Sequence, residues 1–147
     1  MSFLFESFSG WKKYCEEQSI SLVDSVLAYE VEQKGGSSEK IWQGLTQAYQ
    51  VMKEAVKTGL EEDMSSRSGM ITNGAKKVYN NPLTVLSPEF QRLISRALAA
   101  KEVNSCMGRV VAAPTAGASG ILPGTMVTLQ EIHGLSDAKI CEGLLLG

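Results

Sequence analysis

The stretch Arg109-Val-Val-Ala-Ala-Pro-Thr-Ala-Gly-Ala-Ser-Gly-Ile-Leu-Pro-Gly124 constrains this chain more than any other. It is apolar, then built almost wholly of small residues, then apolar again. An ordinary surface loop is more polar, and a helix interior seldom holds two prolines and three glycines. Gly117 and Gly120 permit positive φ and close backbone approach. Thr115 and Ser119 add hydroxyls. Such a segment can turn several backbone N–H groups toward one point and hold a carboxylate or phosphate without a cationic side chain. It can equally be a tight turn between two buried elements, kept small for packing. Composition alone leaves both readings open.

Around this stretch the chain reads as helix. Ser21 precedes Leu-Val-Asp as a weak capping box, Val23, Leu27 and Val31 follow at i+4 spacing, and Lys34-Gly-Gly stops the run. Ile41, Leu45, Ala48, Met52 and Ala55 share a face, flanked by Tyr49 and Val56, with Gly59 near the expected end. A third helix starts at Ser87 as N-cap, Pro88 at N1 and Glu89 in the first turn. Its apolar stripe is Phe90, Leu93, Ile94, Ala97 and Leu98, and it should run to about Glu102. Between the second and third helices, Asn73-Gly74 signals a turn, and poor apolar alternation disfavours a hairpin. Ile121 to Ile132 reads as a buried helix with Pro123 near its first turn and Gly134 at its end. Ser136-Asp137 caps a last segment with Ile140, Leu144, Leu145 and Leu146. The expected class is all-α, a helical domain with the 109–120 loop entering a buried helix. The ending Leu-Leu-Leu-Gly147 predicts either a polypeptide that continues or a C-terminal helix docked into its own core.

The 147 residues suffice for one domain with a core, and 44% hydrophobic with 20% charged residues fits a soluble globular protein. The net charge of −2 and the lack of a basic stripe argue against nucleic acid and anionic membranes as partners. No apolar run reaches membrane-span length, and Met1-Ser-Phe-Leu-Phe-Glu-Ser-Phe8 lacks the basic start of a signal peptide. Cys15, Cys106 and Cys141 are sparse and widely spaced, as suits a reducing cytoplasm. With His133 as the one histidine, a complete metal site within this chain is not expected.

Conventional catalytic groups are thin. His133 at a helix C-terminus has a structural explanation in the dipole. Lys76-Lys77 can supply a base or a carboxylate partner, but such pairs are commonly solvated. Arg67 and Arg109 can each clamp a carboxylate, and Arg109 leads into the small-residue loop. Neither the dinucleotide-binding nor the P-loop glycine pattern occurs. A pyridoxal-phosphate enzyme fits poorly with so short and helical a chain.

Ala112-Ala-Pro-Thr-Ala-Gly-Ala-Ser-Gly-Ile-Leu-Pro-Gly124 resembles the signature stretch of the alpha chain of bacterial iron–sulfur-dependent L-serine dehydratases. Arg67-Ser-Gly-Met-Ile-Thr-Asn-Gly-Ala-Lys-Lys77, after Gly59-Leu-Glu-Glu-Asp63, resembles the same family, as does Leu27-Ala-Tyr-Glu30. The resemblance runs nearly the whole chain in register. It implies the N-terminal portion of an alpha-chain domain, residues 1–147, of a cytoplasmic lyase that converts L-serine to pyruvate and ammonia. It implies a [4Fe–4S] cluster held by three cysteines, whose open iron acts as Lewis acid on the substrate hydroxyl while a base takes the Cα proton. The cluster ligands are expected beyond residue 147, since Cys15, Cys106 and Cys141 do not sit in that motif. The implied substrate-side residues are Thr115, Ala116, Gly117, Ala118 and Ser119, with Thr72, Asn73, Gly74 and Lys76. L-serine and a beta chain or beta domain are the implied partners, and a homo-oligomer is left open. Two departures matter. The Ser-Ser-Ser-His-Thr stretch of the beta domain is absent, and Pro114-Thr-Ala-Gly117 lacks the Asn that some members carry. Without the rest of the machinery the piece is expected to be inactive alone. A small helical interaction module without chemistry is the competing reading.

Overall fold

The structure is a computed structural model that describes residues 7–113 and 115–147. Among them are seven α-helices, a 3-10 turn and no strand, only an isolated bridge between Ser65 and Thr72. The helices are α1 (Phe8–Gln18), α2 (Leu22–Lys34), α3 (Ser38–Glu61), α4 (Gly74–Asn80), α5 (Pro88–Ser105), α6 (Ile121–His133) and α7 (Asp137–Leu146). The expected all-α class is observed. Two compact units divide the chain, one comprising the stretch to Thr46 with Ala138–Gly147, the other Gln47–Asp137. The reading of the first six residues lies outside the described ones, as does Pro114.

In the first unit, Ser7 and Ser21 cap α1 and α2, accepting from the N–H groups of Gly10 and Asp24. The Ser21 hydroxyl also donates to the Asp24 carboxylate at 2.7 Å, so the local pair forms without the full reciprocal box. Gly35 at φ +65° ends α2 where Lys34-Gly-Gly predicted a stop. Trp11 Nε1 donates to Ser25 Oγ at 2.7 Å and ties α1 to α2. No clear periodic signal in the sequence marks α1.

The second unit carries the candidate site. Ser87, Pro88 and Glu89 start α5 as expected, and the Ser87 hydroxyl accepts from the Phe90 N–H. The helix runs three residues past Glu102 to Ser105. Its buried face is not the one the apolar stripe marked. Gln91, Ser95, Arg96, Ala99, Ala100, Glu102 and Val103 are buried, whereas Phe90 is 51% and Leu98 36% exposed. The reason is close approach. A Cβ on Gly59 of α3 would collide with the Ala99 backbone, and one on Gly124 of α6 would lie 2.6 Å from the Ala97 nitrogen. Small residues on α5 let its neighbours come near enough that the larger residues stay at the margin. The same packing corrects the buried-helix expectation for α6. Pro123, Gly124 and Thr128 face inward, while Ile121 is 66% exposed and Ile132 also faces out.

Ala55, Val56, Met64, Ala100 and Val103 form the apolar core of this unit. Beside it, Arg96 is buried and bonded to Thr128 Oγ1 at 3.1 Å and to Glu131. The Tyr49 hydroxyl donates to Gln130 Oε1 at 2.7 Å, and Gln130 Nε2 donates to Asp137 and the Leu135 carbonyl. Asp137 also takes bonds from Lys53 and Gln50. The Lys53 ammonium and the Gln130 amide hold the Asp137 carboxyl below its ordinary value.

Candidate functional site

The small-residue loop begins where α5 stops. Met107 takes a left-handed φ of +65°, and the Gly108 N–H reaches back to the Val103 carbonyl at 2.8 Å. After the irregular run 109–113 the chain forms a 3-10 turn, Ala116–Ala118, and enters α6 at Ile121. The Ala118 N–H is engaged by Thr115, through its carbonyl at 3.1 Å and its hydroxyl at 3.2 Å. Thr115 and Gly117 are exposed, and Ser119 is fully buried. The Ala116 side chain lies outside the described features.

Neither Gly117 nor Gly120 adopts positive φ, contrary to the conformational role read from the sequence. Gly120 sits at φ −95°, and its need is spatial, because a Cβ there would strike the Ala97 carbonyl. Among the described residues, a Cβ on Gly117 would meet only Thr115 Oγ1, at 3.6 Å. The glycine of the loop that packing demands is therefore Gly120, and Gly117 is unconstrained by the fold.

The second motif segment is built around a left-handed asparagine. Asn73, at φ +50°, precedes α4 without capping it. Its Oδ1 accepts from the Met64 N–H at 2.6 Å, which closes the turn onto the end of the preceding segment. Lys76 Nζ pairs with Asp63 at 2.9 Å and holds that carboxyl below its ordinary value. Thr72 is exposed and forms the bridge with Ser65. The cap of α4 comes from elsewhere in the chain. Glu102 Oε1 accepts from the N–H groups of Gly74 at 2.8 Å and Ala75 at 3.2 Å.

One turn of α5 thus touches both motif segments. Lys101 Nζ donates to the Gly117 carbonyl at 3.3 Å, and Asn104 Nδ2 lies 3.5 Å from Ser119 Oγ. Glu102, between them, holds the start of α4. Sequence reasoning missed these three residues, which looked like an ordinary polar helix end. The signal available was register: Glu102 shares a face with Ser95 and Ala99, the small residues of the close-packed side. Beside the loop, Leu93, Ile94, Ala97 and Leu98 of α5 line an apolar groove of about 270 Å³ with Gly117, Gly120 and Ile121.

The other candidates stand apart from this arrangement. Arg67, Lys77, Arg109 and His133 are all exposed, with His133 as the last residue of α6. Cys15 and Cys141 are buried and Cys106 half-buried. Among the described residues no group of three His, Cys, Asp or Glu side chains is placed to hold a metal ion, so the residues present do not fit an iron–sulfur cluster. No helix among them is long and apolar enough to cross a membrane.

Comparison with known proteins agrees with the motif pattern. The chain is 31% identical over 134 residues to the L-serine dehydratase alpha chain of Peptoniphilus asaccharolyticus, a match covering 89% of this chain and 46% of that protein. It is 33% identical over 131 residues to the probable L-serine dehydratase alpha chain of Bacillus subtilis, covering 87% and 43%. L-serine dehydratase 2 of Escherichia coli is 26% identical over 150 residues, covering 92% and 32%. The chain therefore spans less than half the length of these relatives. No solved structure matches. The family model for the serine dehydratase alpha chain matches residues 17–147, and the chain belongs to that family.

Proposed function

We propose that this chain supplies the substrate-side wall of an L-serine ammonia-lyase of the cytoplasm, working with a beta chain or beta domain. The observation that carries the reading is the convergence of both motif segments on the last turn of α5, through Lys101, Glu102 and Asn104. In this reading Thr115, Ala116, Gly117, Ala118 and Ser119 flank the serine carboxylate. Exposed Thr115 and Gly117 form the open edge, and buried Ser119 fixes the loop to α5. Thr72, Asn73, Gly74 and Lys76 make the second edge, held rigid by Glu102, Met64 and Asp63. A wall set in advance by such bonds orients a small substrate at little entropic cost during reaction.

The [4Fe–4S] cluster that the family resemblance implies takes its ligands, in this reading, from residues outside 1–147. The exposed apolar groove favours a second reading, a helical interaction module with no chemistry. Pyruvate release from L-serine under anaerobic conditions separates the two. The chain assembled with the remaining parts of the enzyme should release pyruvate, and the 147-residue chain alone should not. Adding L-serine to the assembly should shift the amide resonances of residues 115–120. An assembly that binds iron and sulfide yet shows neither pyruvate nor those shifts rejects the lyase reading.

A further inference from the structure

Asn73 would ordinarily cap α4, yet its side chain is spent on the Met64 N–H, and α4 has no cap from its own flank. The bond instead comes from Glu102, 28 residues away in sequence. That carboxylate is only 6% exposed, and just one of its oxygens is bonded. Its Oε2 is buried and has no hydrogen-bond partner among the described residues. A buried carboxylate with an orphaned oxygen is costly, and a neutral local cap would satisfy α4 without it. The long-range carboxylate does what a local cap cannot: it fixes where the 72–76 turn stands relative to α5. The contact is tight from both sides, since a Cβ on Gly74 would lie 2.7 Å from Glu102 Oε1.

We propose that Glu102 is a positioning residue for serine: it locks the 72–76 turn to the turn of α5 that also holds the 115–119 loop, and so sets the distance between the two edges of the substrate wall. This rests on the lyase reading above. Glu102 does not touch substrate. It acts through the N–H groups of Gly74 and Ala75, while its neighbours Lys101 and Asn104 anchor the opposite edge.

The test compares Glu102→Ala, Glu102→Gln and Gly74→Ala. Amide exchange is followed in the 147-residue chain, and serine kinetics in the assembled enzyme. Glu102→Ala should speed exchange at Gly74 and Ala75 at least tenfold, with Met52 to Val56 unchanged. It should raise KM for serine about tenfold and lower kcat less than threefold. Glu102→Gln keeps an acceptor at the same place and should restore most of the protection and most of the KM. Gly74→Ala pushes the carboxyl away without removing it and should raise KM as the alanine does, so the idea stays testable if Glu102→Ala fails to fold. Unchanged exchange at Gly74 and Ala75 in Glu102→Ala overturns the proposal. Faster exchange with unchanged KM also overturns it. In that case Gly117→Ala tells which step failed. A changed KM there leaves the serine reading standing without Glu102, and an unchanged KM there removes the serine reading as well.

Discussion

Gly120 packs directly beneath the carbonyl of Ala97, with no room between α6 and α5 for a methyl group. Gly117, three residues earlier in the same loop, has only Thr115 Oγ1 near its Cβ position among the described residues. Two glycines of one motif therefore answer to different demands. Gly120→Ala should destabilise the fold by about 1–3 kcal/mol, the usual range for overpacking. Gly117→Ala should change stability by no more than about 0.5 kcal/mol. A fall in serine kcat/KM for Gly117→Ala would then report on substrate and not on folding. Urea denaturation of both variants decides the matter, and equal losses would show that the loop is uniformly packed.

The same contrast shows what the sequence made legible. Ser87-Pro88-Glu89 announced the start of α5 because caps and the helix dipole act over a few neighbouring residues. The stop at Lys34-Gly-Gly was legible for the same local reason. The inward face of α5 was not, because periodicity weighs leucine above alanine. Ala99 is buried against Gly59 of α3 and Ala100 among Ala55, Val56 and Met64, and nothing near them in the sequence says so. α4 escaped notice because seven residues give a weak period and its cap lies on another helix. The loop and the turn were legible as motifs. Their common anchor at Lys101, Glu102 and Asn104 was not, since it is a tertiary relationship.

Arg96 offers a test of the polar interior between α5 and α6. Its guanidinium is buried and meets Thr128 and Glu131, while Glu131 stays half exposed. Glu131→Ala strands the buried cation and should cost about 1–3 kcal/mol. Arg96→Met replaces the cation by an apolar chain of similar length and should cost less, because no charge is left unpaired. Thermal unfolding of the two variants gives the order. Arg96→Met proving the worse of the two would show that the arginine is held for more than its pairing.

Asp137 links pH to stability in the second unit. Its carboxyl is held below the ordinary value near 3.8 by Lys53 first and Gln130 next. A depressed folded-state value means the contribution is complete above the unfolded value and fades as pH falls through the folded one. The side chain is 41% exposed, so solvent screens the pair and the contribution is modest. Asp137→Asn should cost about 1 kcal/mol at pH 7. The gap between variant and wild type should close as pH falls below the ordinary value near 3.8, where the unfolded chain holds the Asp137 proton more tightly than the folded one. Urea midpoints at pH 7 and at the acid end of the folded range test this, and a gap of constant size would assign the effect to packing.

Leu98 and Val103 share α5 and differ in fate. Leu98 belongs to the stripe that periodicity marks as core, yet it stands at the groove, 36% exposed. Val103 is buried among Ala55, Val56, Met64 and Ala100. If the small-residue contacts set the inward face, the effects of substitution should invert the order that side-chain size suggests. Leu98→Lys can extend its ammonium to solvent while its stem covers the groove, and it should shift stability by no more than about 0.5 kcal/mol. Val103→Ala removes two methyl groups from the core and should cost about 1–2.5 kcal/mol in lost burial and residual cavity. Denaturation of the 147-residue chain measures both. A large loss for Leu98→Lys with little for Val103→Ala would place the core on the leucine face and reverse the packing described for α5.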